Sequence, residues 1–190
     1  MKKFALAALL SMFGAAANAT VLTFDDIPGQ FQNGVGLVNN YQGFTFNQTL
    51  YSIDVVGSSW DFGAHSGEYA LLNNYGGTGI VAKADGSDFS FDGLWAKTWA
   101  FGATRSGTIR GYKDNALVWS TTLDINGTTY TNFGAQSGMI DALHMDLGNY
   151  FLVDDLALDQ PAQNEVPEPA SLALFGLAFA GLAAARSKQA

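Results

Sequence analysis

The sequence predicts an all-β protein, an antiparallel β-sandwich of jelly-roll-like form, and three observations carry the prediction. Glycine is abundant, at 22 of 190 residues, while Leu/Glu/Lys-rich runs with a helical apolar period are absent between residues 20 and 160. Short aromatic and β-branched segments recur there, punctuated by Gly, Asn and Asp turns. Their number, roughly ten to twelve, is more than one sheet carries comfortably and suggests two packed layers.

Taken in order, residues 21–24 form a first strand that runs into Asp25 and Asp26 and is broken by Ile27-Pro28-Gly29. Residues 30–40 are rich in Gly and Asn and read as a loop, and 41–47 and 50–56 read as strands. Residues 57–69 show no period and are expected to form a long surface loop of the kind that carries binding residues. Residues 70–73, 79–82 and 88–91 are short strands. Residues 94–102 follow, with Trp95, Lys97, Trp99 and Phe101 on one face at period two. Trp95, Trp99 and Phe101 are expected in the core. Residues 108–112 and 117–123 flank a hairpin turn at Lys113-Asp114-Asn115-Ala116. Residues 130–133 form another strand, and 140–147 and 150–158 are expected to pair through a turn at Gly148-Asn149.

The two ends differ from this body. Lys2 and Lys3 precede an apolar run and the small residues Ala17-Asn18-Ala19, the layout of a secretory signal peptide over residues 1–19. That layout implies export through the Sec translocon and cleavage by signal peptidase. The predicted sandwich domain occupies 20–160, and a linker spans 161–169. Within the linker Pro167 and Pro169 flank Glu168, which rules out a regular helix there. Residues 170–185 carry no charge. As a helix they span about 24 Å, slightly less than a bilayer core of roughly 30 Å, and flanking residues can complete a single transmembrane helix. Arg186 and Lys188 in the basic tail, 186–190, place the C-terminus on the cytoplasmic side.

Composition excludes several chemistries. With no cysteine there is no thiol nucleophile and no thiolate metal site. Residues 20–165 hold five basic and sixteen acidic side chains, a net charge of −11. Such a surface repels nucleic acid and anionic lipid or polysaccharide unless a cation bridges them. No Gly-x-Ser-x-Gly elbow accompanies the two histidines, His65 and His144, which read as structural. Two carboxylates can act as a glycosidase pair, but only at a separation that sequence does not set.

The tail, Val166-Pro167-Glu168-Pro169-Ala170-Ser171, then the apolar run, then Arg186 to Lys188, resembles the PEP-CTERM sorting signal of Gram-negative bacteria that make exopolysaccharide. The resemblance implies recognition by exosortase, a membrane-embedded transpeptidase. It also implies export with transient inner-membrane anchoring, then delivery to the cell surface or the extracellular space. A plain C-terminal anchor with a proline hinge fits the same residues and gives the same topology. Phe24-Asp25-Asp26, Tyr41-Gln42-Gly43-Phe44, Ser66-Gly67, Gly111-Tyr112 and Val153-Asp154-Asp155-Leu156 recur in many exported PEP-CTERM proteins. Their layout is similar to galactose-binding-like and carbohydrate-binding-module sandwiches. That resemblance implies neighbouring first and last strands, with a structural calcium ion beside them.

Two candidate sites follow. Asp26 and Asp155, with Asp25 and Asp154 behind them, could gather hard oxygen ligands for Ca²⁺ if the terminal strands pair. Alternatively they cap strand ends. Trp60, Asp61 and Tyr69, in or beside the irregular loop, are the candidates for surface recognition of extracellular polysaccharide, since indole faces stack on sugar rings. The expected role is non-enzymatic, at the cell surface or in the matrix. A secreted polysaccharide hydrolase and a structural surface protein without ligand are the alternatives.

Overall fold

The computed structural model describes residues 20–27, 35–36, 40–74, 76–99 and 104–159. The predicted signal peptide, linker, membrane helix and basic tail lie outside them. The described residues form twelve strands and no helix: β1 (Thr20–Leu22), β2 (Val35–Gly36), β3 (Phe44–Phe46), β4 (Leu50–Asp54), β5 (Tyr69–Asn73), β6 (Gly79–Lys83), β7 (Phe89–Thr98), β8 (Arg105–Lys113), β9 (Ala116–Ile125), β10 (Thr131–Ile140), β11 (Ala142–Asp146) and β12 (Phe151–Leu158). A seven-stranded sheet runs in the order β10-β7-β12-β5-β4-β2, with β1 also on β12, and a five-stranded sheet runs β3-β6-β11-β8-β9. The predicted all-β sandwich is therefore what the chain builds.

Between the sheets lies a core of aromatic and aliphatic side chains that includes Phe24, Phe44, Phe89, Phe91, Phe133, Ile109, Leu143 and Leu156. Alternation along each strand supplies it. On β8, for example, Gly107, Ile109 and Gly111 are buried while Thr108, Arg110 and Tyr112 face outward. Gly111 has a packing reason: a Cβ there would meet the Trp119 ring at 2.3 Å. The indole lies across the glycine and reaches Phe91, with ring centroids 5.2 Å apart.

The first and last strands are neighbours, as the resemblance implied: Thr20 pairs with Leu158 and Leu22 with Leu156. On that same side of β12, residues Phe151–Val153 pair instead with β5, Phe151 with Asn73 and Val153 with Leu71. One side of β12 is thus shared by two strands, and the handover falls at Asp154 and Asp155. There the ladder to β7 also shifts register, and Asp155 takes φ of 45°.

Several strand assignments change. Residues 35–36, inside the predicted loop 30–40, form β2, and Ile140 ends β10 while β11 starts at Ala142. Residues 88–91 and 94–102 are not two strands; β7 runs through Gly93, whose φ of 139° lets the alternation slip by one. Phe89 and Phe91 before the slip, and Leu94 and Ala96 after it, all reach the core. Trp95 and Lys97 therefore fall on the outer face of the seven-stranded sheet, and Trp95 is not a residue of the inter-sheet core. Phe101 lies outside the described residues. The strand predicted at 130–133 is ten residues long, because the ladder to β7 carries the polar, glycine-rich run 134–139 that alone reads as loop. Residues Gly148-Asn149 do not close a hairpin. Both neighbours of β11 are already β6 and β8, and both sides of β12 are taken, so the connection crosses from one sheet to the other. The turn at 114–115 is as predicted, with Asp114 at φ 50° and Asn115 at φ 63° joining β8 to β9.

Candidate functional site

The four predicted carboxylates lie at the β1–β12 end of the seven-stranded sheet, and each is held by hydrogen bonds. Asp154 is fully buried; its Oδ2 accepts from the His65 and Ser66 amides at 2.8 and 3.0 Å, and its Oδ1 from the Asp155 amide at 2.7 Å. Asp155 accepts from Ser66 Oγ at 2.6 Å, and His65 Nδ1 lies 2.5 Å from its Oδ2. Asp25, just past β1, accepts from the Glu68 and Tyr69 amides at 2.9 and 3.1 Å. The segment 65–69 is thus clipped by acids from both terminal strands, at the point where β12 changes partner. Asp26 points elsewhere and accepts from the Tyr41 hydroxyl and the Gln42 amide. Among the described residues no three of His, Asp or Glu gather as a metal-ligand set.

Gly67 belongs to this clamp. Its φ is 59°, and a Cβ would fall 2.2 Å from the Asp25 carboxylate oxygens. Burial is the main effect on Asp154, pushing its carboxyl up to about 6 despite the amide donors that favour the charged form.

The loop before the clamp folds back onto the outer face of the seven-stranded sheet. There it covers a second apolar cluster of Ile53, Val55, Ala70, Leu72 and Leu152. Phe62 stacks on Trp99 at 5.0 Å, and Trp60 meets both edge-on at 6.0 and 5.6 Å. Trp60 is half-buried in this cluster. Asp61 is exposed and accepts from the Gly57 amide at 3.3 Å, and Tyr69 packs against the inter-sheet core. The three residues predicted for ligand contact are thus not gathered on one surface. Beside them, His65 stacks on Trp95 at 4.0 Å, and buried Lys97 lies 4.8 Å from the centre of the Tyr130 ring, its Nζ donating to the Phe62 carbonyl. Burial lowers the Lys97 pKa.

A second surface was not picked out from the sequence. It is the outer face of the five-stranded sheet, where β8 and β11 pair and bring Arg110 opposite His144. The Tyr112 and His144 rings lie 4.5 Å apart, tilted by 47°. Next along the face, Arg110 donates to Asp146, whose other oxygen accepts from the Thr78 hydroxyl. Thr108 and Thr122 share a 2.8 Å hydrogen bond, and Ser106 donates to Asp124. At the end of this row Gly77, Thr78, Ser106, Asp146, Gly148 and Asn149 line an open cleft of about 340 Å³. Burial holds the His144 imidazole below its ordinary pKa. The result is a ring pair, a row of polar groups and a cleft on one continuous strip. Alternation alone places Arg110 and Tyr112 together, but His144 and Asp146 join them only through the pairing of strands distant in sequence.

No curated protein matches the chain. Among solved structures, the K2 cleaved adhesin domain of Lys-gingipain is similar with a TM-score of 0.49 at 12% identity, over 75% of this chain and 100% of that one. The CBM22-1 xylan-binding domain of Paenibacillus barcinonensis Xyn10C is similar with a TM-score of 0.46 at 14% identity, over 78% of this chain and 100% of that one. The MgGH51 α-L-arabinofuranosidase is similar with a TM-score of 0.42 at 9% identity over 66% of this chain, which spans only 24% of that enzyme. Residues 165–188 match the PEP-CTERM protein-sorting motif. After its β-sandwich, the chain carries the sorting tail of an exported protein destined for the cell surface.

Proposed function

We propose that the chain is a non-enzymatic cell-surface protein whose sandwich binds a neutral extracellular polysaccharide on the outer face of its five-stranded sheet. In this reading the N-terminal signal directs export through the Sec translocon, the apolar tail anchors the chain briefly in the inner membrane, and exosortase processes it there. The observation that carries the binding reading is the strip from Tyr112 and His144 through Arg110 and Asp146 to the cleft at Asn149. Aromatic faces pack on the C–H faces of sugars, and the neighbouring donors and acceptors suit hydroxyl groups. The net charge of −11 over residues 20–165 disfavours polyanionic chains and points to neutral ones.

Hydrolysis fits this face less well. Asp146 is occupied by Arg110 and Thr78, and Asp124 by Ser106, so neither carboxylate is placed to donate or take up a proton at a sugar oxygen. Affinity electrophoresis of the full chain in mild detergent against neutral and uronic-acid polysaccharides tests the proposal. A neutral polymer should retard the protein, and Tyr112→Ala should weaken the interaction at least tenfold, about 1.4 kcal/mol. Loss of binding in Trp60→Ala with Tyr112→Ala unaffected would move the site to the loop. Absence of retardation by any polymer would favour a structural role without ligand.

A further inference from the structure

The two sides of the sandwich end differently. On one side the edge strands are β2 and β3, and β3 is three residues long, too short to template another strand. On the other side the edges are β9 and β10, ten residues each. Among the described residues β10 pairs only with β7, and β9 only with β8. Exposed strand edges are ordinarily blunted by charge, proline or brevity. Here β10, Thr131-Asn132-Phe133-Gly134-Ala135-Gln136-Ser137-Gly138-Met139-Ile140, has no charged residue and no proline, and β9 has one charge, Asp124.

Exposure follows the same asymmetry. Gly134, Ala135, Ser137, Gly138 and Met139 are all exposed on β10. Of the five large apolar side chains exposed among the described residues, Leu117, Val118 and Met139 lie on these two strands. The one irregularity of β10 falls between Gln136 and Ile140, leaving residues 131–136 in regular register with β7.

We propose that this edge joins a second copy of the chain, β10 pairing antiparallel with β10 of the other protomer about a two-fold axis near Gly134 and Ala135, so that the two seven-stranded sheets become one. Two copies of a body with net charge −11 repel wherever acidic faces meet, and this edge is where they can approach without facing charge. An antiparallel strand is its own complement under two-fold rotation, so backbone hydrogen bonds form without a dedicated partner sequence. Leu117, Val118 and Met139 would flank the join with apolar surface.

The chain has no cysteine, which makes a single introduced thiol an unambiguous reporter. In the full chain purified in mild detergent, light scattering should give a dimer at tens of micromolar. Oxidation of the Ala135→Cys variant should give a covalent dimer, because an axis at Ala135 sets that residue directly opposite its own copy, within disulfide reach. The Ser120→Cys variant, with its thiol exposed on β9, should not cross-link. The double variant Ala135→Lys, Ser137→Lys should run as a monomer with an unchanged far-ultraviolet circular dichroism spectrum. A monomeric wild type would overturn the proposal. So would a dimer that survives the two lysines, which would assign association to the tail, or cross-linking of the Ser120→Cys variant in preference to the Ala135→Cys variant.

Discussion

At the residue scale, Asp154 decides how the end of the sheet is held. It is buried, yet both of its oxygens serve amide donors, three in all. Removing the acceptor leaves three amide donors to find other partners, and with even one left unsatisfied at roughly 1–3 kcal/mol and the others rehydrated, Asp154→Ala is expected to cost about 2–4 kcal/mol in urea unfolding. Its pH dependence is opposite to that of a salt-bridged acid. The folded carboxyl is pushed up to about 6 from 3.8, so the native state holds this proton more tightly than the unfolded chain. The stability it contributes is full below about pH 4 and lost as pH rises through about 6. Asp154→Asn should remove that slope, and an unchanged stability–pH curve in the variant would refute the assignment. The acid pairs were legible in the sequence as oddly placed. Their partners were not, because the His65 amide lies 89 positions from Asp154 and the Glu68 amide 43 from Asp25, and only the fold brings them together.

At the scale of elements, the loop at 57–68 behaves as a covering layer for the outer face of the seven-stranded sheet. Phe62 and Trp60 against Trp99 hold it down, with aromatic pairs worth roughly 0.5–1.5 kcal/mol each beyond area burial. Phe62→Ala is expected to lower stability by about 2–3 kcal/mol, just below the roughly 3–5 kcal/mol of core phenylalanines because this site is only half-buried. Hydrogen exchange should rise in residues 57–68 while β8 and β11 stay protected. Uniform loss of protection across both sheets would mean that the loop is no separate layer. The irregular sequence of this loop reads correctly as a loop, but its aromatic residues suggested exposure. The outer face explains why: Ile53, Ala70, Leu72 and Leu152 already make it apolar, and the slip at Gly93 turns Trp95 and Lys97 onto the same face, so that it needs a cover. A one-residue slip is invisible to period counting, since glycine fits either phase.

At the scale of the molecule, the all-β class, the pairing of first and last strands and the sorting tail were readable from turn spacing, motif order and the C-terminal pattern. The order of strands in each sheet was not, because two-residue alternation records which face a residue takes and not which strand lies beside it. The same limit applies to calcium. Three of the four terminal-strand acids accept from amide, hydroxyl and imidazole groups, and these contacts by themselves draw the chain ends together. Millimolar calcium is therefore expected to leave the melting temperature unchanged. A rise of several degrees, abolished by Asp155→Ala, would instead restore a bound ion to this end of the sheet.

Because Leu158 sits opposite Thr20, the tail departs from a strand gripped along both flanks, by β7 on one side and by β5 and β1 on the other. Tension reaching the body from an anchored tail would load many hydrogen bonds at once instead of peeling them singly from a margin. If sugar is held on the opposite sheet as proposed, that tension would have to cross the greasy interior between the layers, making side-chain interlock part of the tether.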